Sequence, residues 1–257
     1  MQRHQFQNDG VALSCLDAGG DGPVLIALHS HWMEGLTFAP LAAALAPRWR
    51  VVALDQRGHG HSSHTQVHTR EAYLGDIAAL YAHLALDKAV LLGNSLGGVN
   101  AYQFAARHEQ RVRALVIEDM DVVVDDDISS SLAWAGEFPT QEALAARIGP
   151  RLSPYLEESF RQTPSGSWRL AFDPAEMVIS QEQLNGDHWT DWLASRCPAL
   201  LIRGRDSKVT TADELEQMAT RRPHTRLVTL EGSHVLHVDN PAGFTGTVKA
   251  FLQGLET

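Results

Sequence analysis

Leu91-Leu92-Gly93-Asn94-Ser95-Leu96-Gly97-Gly98 is the stretch whose reading decides this chain. Residues 88–92 ahead of it form an apolar run of strand length. Residues 99–108 behind it read as a helix, with Ala101, Phe104 and Ala105 on one face. A chain that leaves a strand and enters a helix with no loop between them must turn sharply. Gly93 and Gly97 leave room for that turn, because side chains there would strike the neighbouring strand or helix. Ser95 then stands at the tip with its hydroxyl exposed, and the helix aims its free N–H groups at the same point. The competing reading is a plain glycine-rich turn after a buried strand. The strand–turn–helix setting makes Ser95 the candidate nucleophile.

Outward from this turn, β-like runs at residues 11–16, 24–28, 50–54, 89–92, 114–118, 199–202 and 226–230 alternate with helical patterns at 38–45, 73–84, 99–108, 212–220 and 244–252. Such alternation predicts an α/β fold with a mostly parallel sheet wrapped by helices. The alternation breaks between about residues 121 and 197, where the pattern is helical and rich in aromatics, among them Trp134, Phe138, Tyr155, Phe160, Trp168, Phe172, Trp189 and Trp192. The reading is a core of residues 1–121 and 197–257 interrupted by a helical cap at 122–196. For any single aromatic in the cap, ordinary packing is the competing role. The run Asp125-Asp126-Asp127 suits a solvated entry to the cap better than a metal site.

In an open parallel sheet, ligands bind at the carboxyl ends of the strands. After residues 24–28 comes His29-Ser30-His31-Trp32. A backbone N–H there, placed at His31 with Trp32 as the neighbouring option, can pair with the N–H of Leu96 to hold an oxyanion. His29 suits a structural role in fixing the loop. After residues 50–54 comes Asp55-Gln56-Arg57-Gly58-His59-Gly60-His61-Ser62, a tight hydrogen-bonded loop by composition. His59, His61, His64 and His68 match no common metal spacing, so neither metal nor cofactor is expected. After residues 226–230 comes Glu231-Gly232-Ser233-His234. His234 can swing over the sheet edge as general base for Ser95, whereas His237 suits packing.

With 257 residues, 44% of them hydrophobic and 20% charged, the chain can bury a full core. A net charge of −10 argues against a nucleic-acid surface. Cys15 and Cys197 lie far apart and suit small buried residues rather than a disulfide. The polar first ten residues show no signal peptide, and no run approaches a membrane span. The expectation is a cytoplasmic monomer or homodimer acting on a small molecule.

Together these motifs resemble the α/β-hydrolase fold. The resemblance covers nearly the whole chain. It rests on the His29 loop, Asp55-Gln56-Arg57-Gly58-His59-Gly60, Gly93-Asn94-Ser95-Leu96-Gly97-Gly98, and Gly232-Ser233-His234 with Asp239-Asn240-Pro241. It implies an eight-stranded sheet, a lid inserted after the sixth strand, and a triad in the order Ser, acid, His. The acid departs from the pattern. The family most often places it after the seventh sheet strand, as Gly, two residues, then Asp. Here Gly204 is followed by Arg205, Asp206 and Ser207, so the Asp falls one residue early and Ser207 holds its place. Asp119, directly after the sixth strand, is the second position, one that some esterases and haloalkane dehalogenases use. Asp119 is favoured, with Asp206 open. The resemblance implies a serine hydrolase of carboxylic esters or lactones, with Trp32, Trp134 and Trp168 offering an apolar substrate pocket. Carbon–carbon bond hydrolases, which share the Gly-Asn-Ser-x-Gly-Gly elbow, and non-catalytic receptors on the same fold are the alternatives. Ser95 argues against epoxide hydrolase and dehalogenase chemistry, which usually has Asp at that tip.

Overall fold

Val24-Leu25-Ile26-Ala27-Leu28 is buried at all five positions, as a strand must be when helices cover both faces of its sheet. The computed structural model describes residues 1–255. In chain order its main elements are β1 (Gln2–Asn8), β2 (Val11–Asp17), β3 (Val24–Leu28), α1 (Ala39–Leu45), β4 (Arg50–Asp55), α2 (Arg70–His83), β5 (Ala89–Asn94), α3 (Leu96–Arg107) and β6 (Val112–Glu118). An insertion follows, with β7 (Val123–Val124), α4 (Gln141–Ile148), α5 (Ser153–Leu156), β8 (Phe160–Gln162), β9 (Trp168–Leu170), α6 (Pro174–Leu184), β10 (Gly186–Asp187) and α7 (Trp189–Ala194). The chain then returns through β11 (Ala199–Gly204), α8 (Ala212–Arg221), β12 (Thr225–Leu230), α9 (Leu236–Asp239) and α10 (Pro241–Gln253).

Eight strands form one sheet in the order β1-β2-β4-β3-β5-β6-β11-β12. It is parallel from β4 through β12, and antiparallel where β2 meets β1 and β4. Alternate side chains feed two cores. Ile26 and Leu28 face one with α2 and α3, while Leu25 and Ala27 face the other with α1 and α10. On the second face, Phe244, Val248, Phe251 and Leu252 of α10 are buried, each contributing about 1.5–3 kcal/mol. The start of α10 is set locally: the Asn240 side chain accepts the Gly243 N–H at 3.0 Å, and Pro241 occupies the first turn.

Two features differ from the sequence reading. The polar N-terminal residues form β1, an edge strand in which Phe6 alone is buried. Residues 122–196 are not purely helical, because β7 pairs with β10 and β8 with β9, both antiparallel. Strands of two and three residues are too short for an alternating pattern to show. The insertion has its own apolar cluster, built on Trp134, Leu144, Leu156, Phe160, Phe172 and Met177. Its ends join the main core instead. Trp192 of α7 is fully buried against α3, its ring 6.0 Å from that of Tyr102. Among the described residues, no helix is long and apolar enough to cross a membrane, and no group of three or more His, Cys, Asp or Glu side chains could hold a metal ion.

Candidate active site

The turn between β5 and α3 puts Ser95 at φ 53°, ψ −118°, in backbone space that L-residues rarely occupy. Such a conformation costs of order 1–3 kcal/mol and persists only where its surroundings enforce it. The glycines enforce it here. A Cβ on Gly93 would lie 2.1 Å from the Gly97 carbonyl oxygen, and one on Gly97 would lie 2.1 Å from that of Leu28. Leu96 begins α3, so its N–H has no partner inside the helix.

His234 lies between β12 and α9. Its Nδ1 is 2.8 Å from Asp119 Oδ2. Asp119 follows β6, is fully buried and has φ 47°. Its carboxylate accepts three more hydrogen bonds: from the Gly204 N–H at 2.8 Å, the Ser207 hydroxyl at 2.5 Å and the Thr210 hydroxyl at 3.0 Å. Acceptor-only oxygens met by four donors are what a buried carboxylate needs. Ser207, which stands where the family's acid usually does, thus serves the carboxylate that arrives from the next strand. Asp206 is exposed, and its backbone N–H donates to the Gly232 carbonyl at 3.0 Å. It is one of the residues that line the cavity described next.

Ser95 and His234 line one cavity of about 500 Å³ with His31, Trp32, Tyr155 and Val235. Trp134 and Trp168 do not line it, among the described residues. Trp134 sits in the insertion's apolar cluster, stacked edge-on against Trp32 at 5.0 Å, and borders a separate groove with His64 and Arg169. Trp168 pairs with Gln162 across the β8–β9 hairpin and with Phe138. Trp168 also packs its ring against that cluster, so of the three aromatics expected around substrate Trp32 alone lines the cavity with Ser95.

The loop after β3 is buried and polar. His29 Nδ1–H donates to the Ser30 carbonyl at 2.7 Å, while its Nε2 accepts the Gln56 N–H at 3.0 Å. Burial pushes His29 down to about 4 and His31 down to about 3, so both rings are neutral around pH 7. Trp32 has φ 71°. Among the described residues, nothing accepts a hydrogen bond from the backbone N–H of His31 or Trp32. These are the free donors that an oxyanion site at this loop requires.

Several supporting residues escaped the sequence reading. Asn94, beside Ser95, donates through Nδ2 to the backbone carbonyls of Glu118 at 3.1 Å and His234 at 3.0 Å, tying the turn to both other loops. His237, taken as packing, is a buried partner of Glu118, with Nδ1 at 2.8 Å from Oε2 and Nε2 at 2.8 Å from the Thr37 hydroxyl. The adjacent acids Glu118-Asp119 and the two histidines three residues apart were the only signal of this double pairing.

With this geometry in view, residues 23–241 match the alpha/beta hydrolase fold family. The chain belongs to that family. It is 29% identical over 251 residues to the 2-(acetamidomethylene)succinate hydrolase of Mesorhizobium japonicum, covering 90% of this chain and 87% of that protein. It is 26% identical to 3-oxoadipate enol-lactonase 2 of Acinetobacter baylyi, covering 95% and 94%. The crystal structure of E-2-(acetamidomethylene)succinate hydrolase superposes with a TM-score of 0.88 at 25% identity, over 98% of this chain and 99% of that one. The chain is thus similar in sequence and shape to hydrolases that differ from each other in substrate.

Proposed function

We propose that this hydrolase cleaves a carboxylic ester or lactone through an acyl-enzyme on Ser95. The observation that carries the reading is the Asp119–His234 pair on the cavity that holds Ser95. With Nδ1–H donated to Asp119, neutral His234 keeps its Nε2 lone pair for the Ser95 proton. Ser95 Oγ attacks the carbonyl carbon, the proton passes to His234, and the carbonyl electron pair moves onto oxygen. The N–H of Leu96, with that of His31 or Trp32, binds this oxyanion. Collapse expels the alkoxide, which takes the proton back from His234. Water then repeats the sequence to release the acid. In a lactone, the alkoxide stays attached to the acyl chain. The kinship with an enol-lactonase supports this substrate class.

The test is turnover of p-nitrophenyl acetate and butyrate, combined with labelling by a fluorophosphonate. Wild type should hydrolyse the esters and take up one phosphonyl group on Ser95, located by peptide mass spectrometry. Ser95→Ala should lose about 10⁴-fold or more in kcat while keeping its fold. A Ser95→Ala variant with near-native turnover would refute the reading. A wild type that binds but never turns over would point to a binding protein on the hydrolase fold.

A further inference from the structure

The loop that carries the free N–H groups of His31 and Trp32 is not held by the core alone. Three polar contacts reach it from the insertion. The Ser159 hydroxyl donates to the Trp32 carbonyl at 2.8 Å. Arg161 forms an ion pair with Glu34, a carboxylate that is almost wholly buried. Ser180 Oγ lies 2.9 Å from His31 Nε2. The Trp134 ring, edge-on to that of Trp32, adds an apolar contact to the same loop.

The anchors are themselves rigid. Ser159 directly precedes β8 and Arg161 lies within it. The Ser159 carbonyl accepts the Ala171 N–H at 2.7 Å, and β9 pairs along the rest of β8. Ser180 belongs to α6, and its hydroxyl also meets Tyr73 OH at 2.8 Å. Tyr73 OH in turn reaches His68 Nδ1 at 3.1 Å, and His68 Nε2 faces the Thr65 carbonyl at 2.8 Å. That carbonyl can only accept, which sets the direction of the chain. A neutral His68 donates from Nε2, so its Nδ1 accepts from Tyr73. Tyr73 then accepts from Ser180, and Ser180 accepts from His31 Nε2–H.

Trp32 needs such support. At φ 71° its backbone sits where an L-residue relaxes unless held. Rotation about Trp32 would turn the adjoining peptides and swing their N–H groups off the point where charge develops. The Ser159 hydroxyl fixes the carbonyl on one side of Trp32. On the other side, the Ser30 hydroxyl donates to the His31 carbonyl at 3.1 Å. A trans peptide points its N–H opposite its carbonyl, so fixing the His31 carbonyl also aims the Trp32 N–H.

We propose that the insertion is the clamp that preorganises the oxyanion site, with Ser159 and Ser180 as positioning residues acting through Trp32 and His31. This goes beyond a roof over the substrate and rests on the ester-hydrolase reading above. A positioning role has a distinct signature. It alters the stabilisation of the tetrahedral oxyanion and leaves ground-state binding alone. Removal of a direct oxyanion donor typically costs 10²–10³-fold in kcat, and a donor loosened rather than lost should cost about tenfold.

The experiment compares wild type, Ser159→Ala and Ser180→Ala on p-nitrophenyl acetate and p-nitrophenyl butyrate, with folding checked by thermal melts. Each protein is also titrated with an alkyl trifluoromethyl ketone and its non-fluorinated methyl ketone. The fluorinated compound accepts Ser95 Oγ at its carbonyl carbon, passes the serine proton to His234 and leaves an oxyanion, so it reports the site directly. The methyl ketone reports binding without adduct. The clamp predicts about a tenfold fall in kcat on both esters, KM within twofold, trifluoromethyl ketone affinity lowered by the same factor, and methyl ketone affinity unchanged. Unchanged kcat, or a rise in KM alone, in folded variants overturns it. Should Ser159→Ala fail to fold, Ser180→Ala decides by the same criteria. A wild type without ester turnover or ketone adduct removes the ester-hydrolase reading and the clamp together, whereas an active wild type with indifferent variants removes only the clamp.

Discussion

Replacement of Asp119 by Asn tests the triad most sharply, and the hydrogen bonds around it set the magnitude. Oδ2 receives the His234 ring and the Ser207 hydroxyl, while Oδ1 receives the Gly204 N–H and the Thr210 hydroxyl. An amide must turn its NH₂ to one pair. If it faces the Oδ1 pair, it meets the Gly204 N–H, a backbone donor that cannot rotate away. If it faces the Oδ2 pair, Ser207 can rotate and His234 can change tautomer. The second choice is the cheaper. It moves the imidazole proton to Nε2, the atom that must accept from Ser95. The fold should lose about 1–3 kcal/mol for the impaired buried network. Activity should fall far more: at least 10²-fold in kcat, towards the 10⁴-fold seen for the same exchange in a serine-protease triad, with KM little changed. Asp206→Asn, at an exposed residue that lines the cavity without touching His234, should cost less than about tenfold. The assay is steady-state hydrolysis of a p-nitrophenyl ester by both variants, with melts to confirm folding. A large loss in Asp206→Asn beside a small one in Asp119→Asn would refute the assignment. Two small losses would leave neither carboxylate as the acid on its own.

Two further substitutions probe the frame. Gly97→Ala would drive a Cβ to 2.1 Å from the Leu28 carbonyl oxygen, backbone that cannot yield without disturbing β3. It should destabilise the fold by about 3 kcal/mol or more, read as a lower urea midpoint, and a native midpoint would show that the turn has slack the structure does not suggest. Glu176 of α6 lies 3.2 Å from His64 Nδ1 and 3.8 Å from His68 Nε2. Burial pushes the Glu176 carboxyl up, but the His64 hydrogen bond, helped by the nearby His68 ring, prevails and holds it down at about 2. The Glu176 hydrogen bond in turn raises His64 above its ordinary 6.5. A lowered acid contributes stability above its ordinary 4.5 that fades as pH falls towards 2. A raised histidine contributes stability below 6.5 that fades as pH climbs through its folded value. The pair is therefore strongest between about pH 4.5 and 6.5, and the Tm gap between wild type and Glu176→Gln should be wider at pH 5.5 than at pH 8.5. A gap that widened with pH instead would contradict the pairing.

What the sequence determined by itself was whatever local sterics and periodicity dictate. The apolar run of β5, the glycines at 93 and 97 and the helix behind them specify a strand–turn–helix whoever their neighbours are, and five consecutive apolar residues in β3 can only be buried. From these the α/β class was legible, whereas the eight-stranded sheet followed from the family resemblance, since polar β1 carries no strand pattern of its own. The partner of His234 was only narrowed, to Asp119 ahead of Asp206. Asp119 and Asp206 are chemically equal in the sequence, and each follows a strand within reach of the same sheet edge. Sheet register decides between them. Pairing of Ile202 with Glu118 sets Asp119 beside Gly204, where Ser207 and Thr210 bring their hydroxyls and His234 its ring. Register is a property of two strands more than eighty residues apart, and no local pattern encodes it. The same holds for Ser159 and Ser180. Each is an ordinary serine in sequence, and only the packing of the insertion on the loop after β3 brings one to Trp32 and the other to His31.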